Sequence, residues 1–172
     1  MDNLIAKADT LLEALPYMQR FRGETFVIKY GGSFMDSTDS AVRGGVARDV
    51  VFIEAVGINT VIVHGGGKAI NRALEQAGVE SRFEQGYRVT TPKSVEVVEQ
   101  VLSREINPGI VGMINELGGK ARGFSGTEMF RCKPFRPLGK AGEPIDIGLV
   151  GEATAVNKAL RLECTGTEIP HE

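Results

Sequence analysis

Residues 26–33 read Phe-Val-Ile-Lys-Tyr-Gly-Gly-Ser, and residues 61–68 read Val-Ile-Val-His-Gly-Gly-Gly-Lys. In each segment a short apolar strand runs directly into a glycine turn. Glycine lacks the Cβ atom that keeps an anion away from the backbone, and a helix that starts after the turn adds unpaired N–H donors. One Gly-Gly pair is more often only a tight turn, but two such turns in one chain indicate a phosphate-binding crevice.

Strand and helix patterns alternate on both sides of these turns. The pattern predicts one strand that begins near Thr25 and a second strand over 60–64. It also predicts helices over 40–56 and 68–77, each ended by a glycine. Strands separated by helices are parallel, with right-handed crossovers, which is the α/β class. Ligands bind at the carboxyl ends of such strands. We therefore expect both glycine turns to face one crevice.

Apolar residues also recur at helical spacing in the N-terminal segment, before the first strand. They are Leu4, Ile5, Ala8, Leu11, Leu12 and Leu15. We expect Pro16 to end this helix. Two interpretations stay open: the helix is a strap on the chain's own core, or it offers its leucine stripe to another subunit.

Two charged residues lie close to the expected crevice. Lys29 adds a positive charge beside the first turn. Residues 82–90 predict a hairpin with its turn at Gln85-Gly86, a candidate flap over the crevice. Arg88 on this hairpin is a candidate carboxylate clamp, because a guanidinium offers paired donors, although a solvated or structural arginine is the alternative.

The C-terminal half has shorter elements. Thr91-Pro92 predicts the start of a helix, and Asn107-Pro108 predicts an interruption or kink in it. A second helical stretch is expected to end at Leu117. Short strand-like segments and a last helix are expected to follow. The strands are 120–124, 128–135 and 145–150, expected as an antiparallel patch, and the helix is 157–164.

Composition narrows the function classes. The 172 residues are 42% hydrophobic, which suffices for one domain with a core, and the net charge is −2 with both signs interspersed, so nucleic acid is not an expected partner. No apolar run has the ~18 residues of a membrane span, and the N-terminus does not resemble a signal peptide. We expect a soluble, cytoplasmic protein.

Metal and disulfide chemistry are not indicated. Cys132 and Cys164 are far apart and are expected to be reduced thiols. With His64 and His171 as the two histidines, no histidine-based metal centre is predicted. His64 is interpreted as structural, either orienting the glycine turn or satisfying a backbone group.

Taken in order, these segments resemble the amino acid kinase family, most closely its acetylglutamate kinase branch. The resemblance covers roughly residues 4–163 and is specific because several motifs occur together. The segments that carry it are 28–33, 63–67, 86–90, 107–115, 123–126 and 146–152.

The resemblance implies a three-layer αβα fold with a mainly parallel sheet, like that of carbamate kinase. It divides the chain into an N-terminal oligomerisation helix (1–17) and an N-terminal substrate-binding lobe (18–172). The family's chains run well past 172 residues, and their second half holds the adenine site. The resemblance therefore implies that this chain is the N-terminal portion and is inactive by itself.

The activity that the resemblance implies is ATP-dependent phosphorylation of the side-chain carboxylate of N-acetyl-L-glutamate, a step of arginine biosynthesis, with Mg²⁺ carried by the nucleotide. Lys29 would be catalytic, because it neutralises charge on the transferred group. By motif position, the phosphate-binding residues would be Gly31 and Gly32, and the substrate-binding residues would be Gly66, Gly67 and Arg88.

The leading helix is similar to that of arginine-inhibited members, which implies a homo-oligomer and L-arginine as a feedback inhibitor. Lys68 departs from the proline of many relatives and is either an extra phosphate ligand or, as we favour, an exposed helix-start residue. Pro108 also departs from a usual helix former. The alternatives are a non-catalytic amino-acid-binding module, a helix-mediated assembly domain and a kinase for a related amino acid.

Overall fold

The computed structural model describes residues 2–31, 39–140 and 142–160. Its helices include α1 (Asp2–Phe21), α2 (Ser40–Ala55), α3 (Gly67–Gln76), α4 (Pro92–Glu99), α5 (Asn107–Glu116) and α6 (Gly126–Met129), with a π-helical segment (Gln100–Ile106) between α4 and α5. Its strands include β1 (Thr25–Tyr30), β2 (Asn59–His64), β3 (Phe83–Glu84), β4 (Tyr87–Arg88), β5 (Phe130–Pro134) and β6 (Gly151–Val156). In this part of the chain, no helix is long and apolar enough to cross a membrane.

The first strands and helices follow the sequence prediction. Strands β1 and β2 pair in parallel, with Thr25 opposite Asn59 and Tyr30 opposite His64, and α2 connects them. Helix α2 ends before Gly57 (φ +90°) and α3 ends before Gly78 (φ +63°), backbone conformations that favour glycine. The predicted α/β class is confirmed for this unit.

The hydrophobic core lies on one face of the β1–β2 pair. Helices α2 and α5 cover that face and contribute most of its buried side chains. The buried cluster consists of Tyr30, Ala47, Val50, Ile110 and Ile114. Side chains alternate between the two faces of a strand, so Val27 and Val63 point to the opposite face, where both are exposed.

The prediction that Pro16 ends the first helix is wrong. Helix α1 continues through Pro16 to Phe21. Proline removes one helical hydrogen bond, but Leu12, four residues earlier, is exposed, so water can reach the carbonyl that loses its partner. The ring of Phe21 packs edge-on against Phe26 of β1, with 5.4 Å between centroids, and this contact holds the end of α1.

The leucine stripe of α1 does not pack on the described part of the chain. Ile5, Leu11, Leu12 and Leu15 are all exposed. Of the two interpretations, the structure therefore disfavours the strap. The division at residue 17 falls inside α1 and stays a prediction.

The hairpin and the next helix were predicted correctly. Strands β3 and β4 pair antiparallel, and Gln85 and Gly86 connect them with positive φ angles of 47° and 89°. These are the conformations of a type I′ turn. Thr91 caps α4 through its side chain, which accepts a hydrogen bond from the Ser94 N–H.

Two of the three predicted C-terminal strands are wrong. Residues 120–124 form no strand, because the side chain of Asn115 bonds the backbone of Ala121 at both its N–H (2.7 Å) and its C=O (3.3 Å). Residues 145–150 form no strand either. Within them Gly148 forms only an isolated parallel bridge with Thr90, whose N–H donates to Ile147 C=O at 2.9 Å and whose C=O accepts from Leu149 N–H at 2.7 Å.

The antiparallel patch itself is confirmed, with a different partner strand. Strand β5 lies within the predicted segment 128–135 and pairs with β6. Strand β6 begins directly after the segment 145–150, which was predicted as a strand of this patch. All residues of both strands are exposed. The start of the predicted helix 157–164 is confirmed at residues 158–160, and the rest of it, with Cys164, lies outside the described residues. Cys132 is an exposed free thiol.

Candidate functional site

The two glycine turns lie at one edge of the β1–β2 pair. Because the strands are parallel and Tyr30 is opposite His64, Gly31 and Gly65 leave the sheet at neighbouring positions. An ideal Cβ at Gly31 would meet no atom of the described residues within 4 Å. Gly32 lies outside the described residues. The two turns therefore start at a shared edge, and the crevice between them stays a prediction.

Gly66 is a glycine because other residues approach it closely. It is buried, and a Cβ there would lie 2.6 Å from Ile106 Cδ1 and 2.9 Å from Leu102 Cδ2. Gly67, the next residue, has open space around its Cβ position and is exposed. The second turn therefore rests on the π-helical segment through Gly66 and is open to solvent at Gly67.

Helix α3 starts at this turn, so its positive end lies at the edge of the sheet where both glycine turns leave. Gly66 is the N-cap, and no side chain of the described residues caps the helix. The first N–H groups of a helix have no partner within the helix, and the helix dipole adds positive potential there. This arrangement can bind an anionic group. Lys68 is exposed in the first turn of α3, as favoured from the sequence.

Lys29 is exposed on β1, two residues before Gly31. It is paired with Val63 of β2, and both side chains point away from the α2–α5 core. Its ammonium group is thus on the solvent side of the sheet, near the edge at which the glycine turns leave. This position suits an electrostatic role toward an anion held at the turns.

Arg88 is tied to helix α3. Its Nη2 donates to Asn71 Oδ1, its Nη1 donates to Ser81 Oγ, and its Cζ lies 4.6 Å from the centre of the Phe83 ring. Asn71 lies one turn into α3 from Gly67. A guanidinium has five N–H donors, so two neutral partners fix its plane and leave donors for a carboxylate.

Sequence reasoning identified Arg88 but missed Asn71 and Ser81, which hold it. Neither residue belongs to a recognisable motif, because an asparagine inside a helix and a serine in a loop are common. The usable signal was the position of Asn71, four residues after Gly67 and therefore on the same side of α3. That spacing places a polar side chain beside the glycine turn.

His64 makes polar contacts with both of its ring nitrogens, which suits the structural interpretation. It is partly buried at the end of β2, and its Nδ1 lies 3.1 Å from the carbonyl oxygen of Gly65. Its Nε2 lies 3.3 Å from Asn107 Nδ2, a contact that the sequence did not indicate. As for metals, no three His, Cys, Asp or Glu side chains of the described ranges gather into a cation site.

The chain matches one family model and many curated proteins. Residues 24–160 match the amino acid kinase family. An acetylglutamate kinase of Akkermansia muciniphila is 46% identical over 167 residues, which are 94% of this chain and 56% of that protein. That of Geobacter metallireducens is 45% identical over 166 residues, which are 93% of this chain and 56% of that protein. The chain thus spans about half the length of these relatives.

Solved structures share the fold. An N-acetylglutamate synthase from Neisseria gonorrhoeae, complexed with coenzyme A and L-arginine, aligns with a TM-score of 0.64 at 21% identity, over 90% of this chain and 36% of that one. The protein smu.665 from Streptococcus mutans aligns with a TM-score of 0.65 at 24% identity, over 82% of this chain and 54% of that one. At these identities the likeness concerns the fold.

Proposed function

This chain belongs to the amino acid kinase family, and on that premise we propose that it is the substrate-binding portion of an acetylglutamate kinase. The whole protein would transfer the terminal phosphoryl group of ATP to the side-chain carboxylate of N-acetyl-L-glutamate. Relatives of that name at 45–46% identity support the assignment. Because the chain spans 56% of their length, we propose turnover for the whole protein and substrate binding for these residues.

The observation that carries the proposal is the link between Arg88 and the second glycine turn. Asn71 holds Arg88, and the same helix begins at Gly66-Gly67. The carboxylate clamp is on β4 but is hydrogen-bonded to α3, and the backbone N–H donors lie at the start of the same helix. A substrate with two anionic groups, one for each, matches this pair of sites.

N-acetyl-L-glutamate has two carboxylates, and Arg88 is assigned to the one that does not react. A guanidinium withdraws negative charge from the carboxylate that it binds, which would make that carboxylate a poorer nucleophile. The side-chain carboxylate then extends toward the turn at Gly66 and Gly67. This assignment leaves the reacting oxygens near backbone donors and not in an ion pair.

The reaction needs positioning more than acid–base chemistry. An oxygen of the side-chain carboxylate forms a bond to the γ-phosphorus, the bond from that phosphorus to the β–γ bridging oxygen breaks, and ADP leaves. No proton is transferred. The protein must hold two anions in line and offset the charge that develops between them.

We assign the binding of the nucleotide phosphates to Lys29, Gly31 and Gly32. The two glycines would donate backbone N–H groups to the terminal phosphate, and Lys29 would offset its charge. Mg²⁺ would neutralise part of the nucleotide's charge. The described residues hold no cluster of metal ligands, so we assign no side chain of this chain to the ion and derive no step through it.

We also propose a homo-oligomer assembled through α1. The exposed stripe of Ile5, Leu11, Leu12 and Leu15 supports it, because helices with an apolar stripe are stabilised by burying it. L-arginine is proposed as a regulator, on the family resemblance. The cytoplasm is proposed as the location, because the reaction consumes ATP.

A second candidate is a non-catalytic amino-acid-binding module. The structural neighbour from Neisseria gonorrhoeae, complexed with L-arginine, favours this alternative, since that protein shares the fold and is not named a kinase. In this alternative Arg88 would bind the carboxylate of a free amino acid. The two candidates differ in which ligand binds more tightly.

The test is a calorimetric titration of the 172-residue chain with N-acetyl-L-glutamate and, separately, with L-arginine. We expect N-acetyl-L-glutamate to bind and Arg88→Ala to weaken its binding about 10- to 100-fold, because hydrogen bonds to charged groups contribute ~1.5–3 kcal/mol. Arg82→Ala is the matched control. Arg82 is an exposed arginine at the start of the same hairpin, and its removal should leave the affinity unchanged.

Three results would contradict the proposal. Equal losses in Arg88→Ala and Arg82→Ala would mean that only net charge matters. Tighter binding of L-arginine than of N-acetyl-L-glutamate would favour the regulatory module. Failure of the folded chain to bind N-acetyl-L-glutamate would show that these residues do not form the substrate site by themselves.

A further inference from the structure

The π-helical segment Gln100–Ile106 is a local departure from regular helix, and Pro108 explains it. Proline has no N–H to donate, and its ring collides with the carbonyl four residues earlier in an α-helix. In this chain the Asn107 N–H reaches back five residues, to the Leu102 carbonyl, so the turn is wider. Of the two predicted outcomes at Asn107-Pro108, an interruption or a kink, the interruption is wrong, because the π-helical segment continues directly into α5. Single wide turns of this kind frequently occur at functional sites.

The wide turn places three side chains against the end of β2. Leu102 and Ile106 fill the space where Gly66 would carry a Cβ. Asn107, the next residue, reaches His64. The junction between the π-helical segment and α5 therefore packs directly beneath the second glycine turn.

The amide group of Asn107 has one orientation that satisfies its neighbours. Its Nδ2 lies 3.4 Å from the Phe124 carbonyl oxygen, which can only accept a hydrogen bond, so the NH₂ group faces that side. The same Nδ2 lies 3.3 Å from His64 Nε2. The opposite atom, Oδ1, lies where a Cβ on Gly123 would be, which explains the glycine at 123.

This orientation determines the protonation pattern of a neutral His64. Since Asn107 Nδ2 is a donor, Nε2 of the imidazole must accept, and the ring proton is then on Nδ1. Nδ1 lies 3.1 Å from the Gly65 carbonyl oxygen, to which it can donate. Both ring nitrogens are thus satisfied in a single tautomer.

The Gly65 carbonyl and the Gly66 N–H belong to the same planar trans peptide, in which they point in opposite directions. Holding the carbonyl therefore also fixes the direction of the N–H. We propose that Asn107 is a positioning residue for the glycine turn: it selects the Nδ1–H tautomer of His64, which holds the Gly65 carbonyl and so aims the Gly66 N–H. The consequence for ligand binding rests on the proposed function, whereas the tautomer and the orientation of the turn do not.

The test is the tautomer of His64, read from ¹⁵N–¹H correlation spectra of the imidazole ring at alkaline pH, where imidazoles are neutral. The sequence contains two histidines, so a His171→Gln variant assigns the spectrum. We expect the Nδ1–H form in the unmodified chain. Asn107→Asp keeps the size of the side chain but replaces the donor with an acceptor, so it should move the proton to Nε2.

The second readout is the backbone amide resonance of Gly66, measured without ligand. Asn107→Asp should shift this resonance, because Nδ1 would then lose its proton and repel the Gly65 carbonyl. Asn115→Asp is the matched control, since Asn115 is on the same helix and bonds Ala121, not His64. The control variant should change neither the tautomer nor the Gly66 resonance, even if it lowers stability.

Several results would overturn the proposal. They are an Nε2–H form in the unmodified chain, a tautomer that Asn107→Asp leaves unchanged, and a Gly66 resonance that does not move when the tautomer does.

If the chain binds N-acetyl-L-glutamate, Asn107→Asp should weaken binding about two- to tenfold, the effect of one neutral hydrogen bond. Unchanged binding with a changed tautomer would remove the functional part of the proposal. If the unmodified chain does not bind this ligand, the proposed function fails while the tautomer and the Gly66 resonance still decide the inference.

Discussion

The two faces of the β1–β2 pair differ sharply in burial. On one face, Tyr30 is 4% exposed and packs with Val50 of α2 and Ile114 of α5. On the other face, Val27 is 70% exposed and Val63 is 53% exposed. The exposed face nevertheless carries Val27, Val61 and Val63 beside the polar Lys29.

The Val27 face therefore has apolar side chains that the described residues leave uncovered. Strands of parallel sheets are typically apolar on both faces because helices cover both. The three-layer arrangement implied by the family would place helices over the Val27 face as well. The covered face should therefore carry the stability of this chain, and the Val27 face should contribute little to it.

The largest effect is expected from Ile114→Ala on the covered face. Ile114 is 3% exposed, so its truncation leaves a cavity, and such substitutions cost about 2–5 kcal/mol. Urea unfolding followed by circular dichroism would measure the loss. Val63→Ala, on the other face of the same sheet, is the comparison and should cost less than about 1 kcal/mol. Equal losses would mean that both faces are covered in solution.

Much of the fold could be predicted from local signals. Gly57 and Gly78 end their helices with positive φ, and Gln85-Gly86 forms the predicted hairpin turn. These residues act through their own backbone conformation, which the local sequence reveals. Pro16 was misread because its cost depends on solvent access to a carbonyl, which is a property of the tertiary structure.

The wrong strand predictions have a related cause. A strand is defined by its partner, and residues 145–150 form only a single bridge with Thr90, at Gly148, whereas β5 pairs with β6. The sequence gives no direct information about such pairings. In the same way, Arg88 could be singled out by its chemistry. Asn71 and Asn107 contact residues that are distant in sequence, so their roles could be recognised only from the structure.

An intermediate loss of stability is expected at the second glycine turn, where Gly66 packs against the π-helical segment. Gly66→Ala would place a Cβ 2.6 Å from Ile106 Cδ1, and overpacking of this kind costs about 1–3 kcal/mol. Gly67→Ala is the matched control. Its Cβ position is open and lies in the first turn of α3, where alanine is a better helix former than glycine, so stability should be unchanged or slightly higher. Thermal unfolding of the two variants makes the comparison, and similar losses in both would show that Ile106 does not restrict Gly66.

The smallest effect on stability is expected from Val27→Thr combined with Val63→Thr. Threonine keeps the branched shape that strands favour, and its hydroxyl is solvated on an exposed face, so the free energy of unfolding should change by about 0.5 kcal/mol or less. The same hydroxyl in the core would lose hydrogen bonds to water. Val50→Thr, at a residue that is 3% exposed, is therefore the matched control and should cost about 1–3 kcal/mol.

The same double variant distinguishes a bare face from one covered by a second copy. An exposed apolar patch favours association, so replacing its valines should lower the sedimentation coefficient of any oligomer that forms through it. If the double variant is as destabilised as Val50→Thr and also dissociates, then a second copy covers this face in solution. If it keeps both its stability and its sedimentation coefficient, then the Val27 face is bare, and any oligomer forms elsewhere, with the exposed stripe of α1 as an apolar candidate.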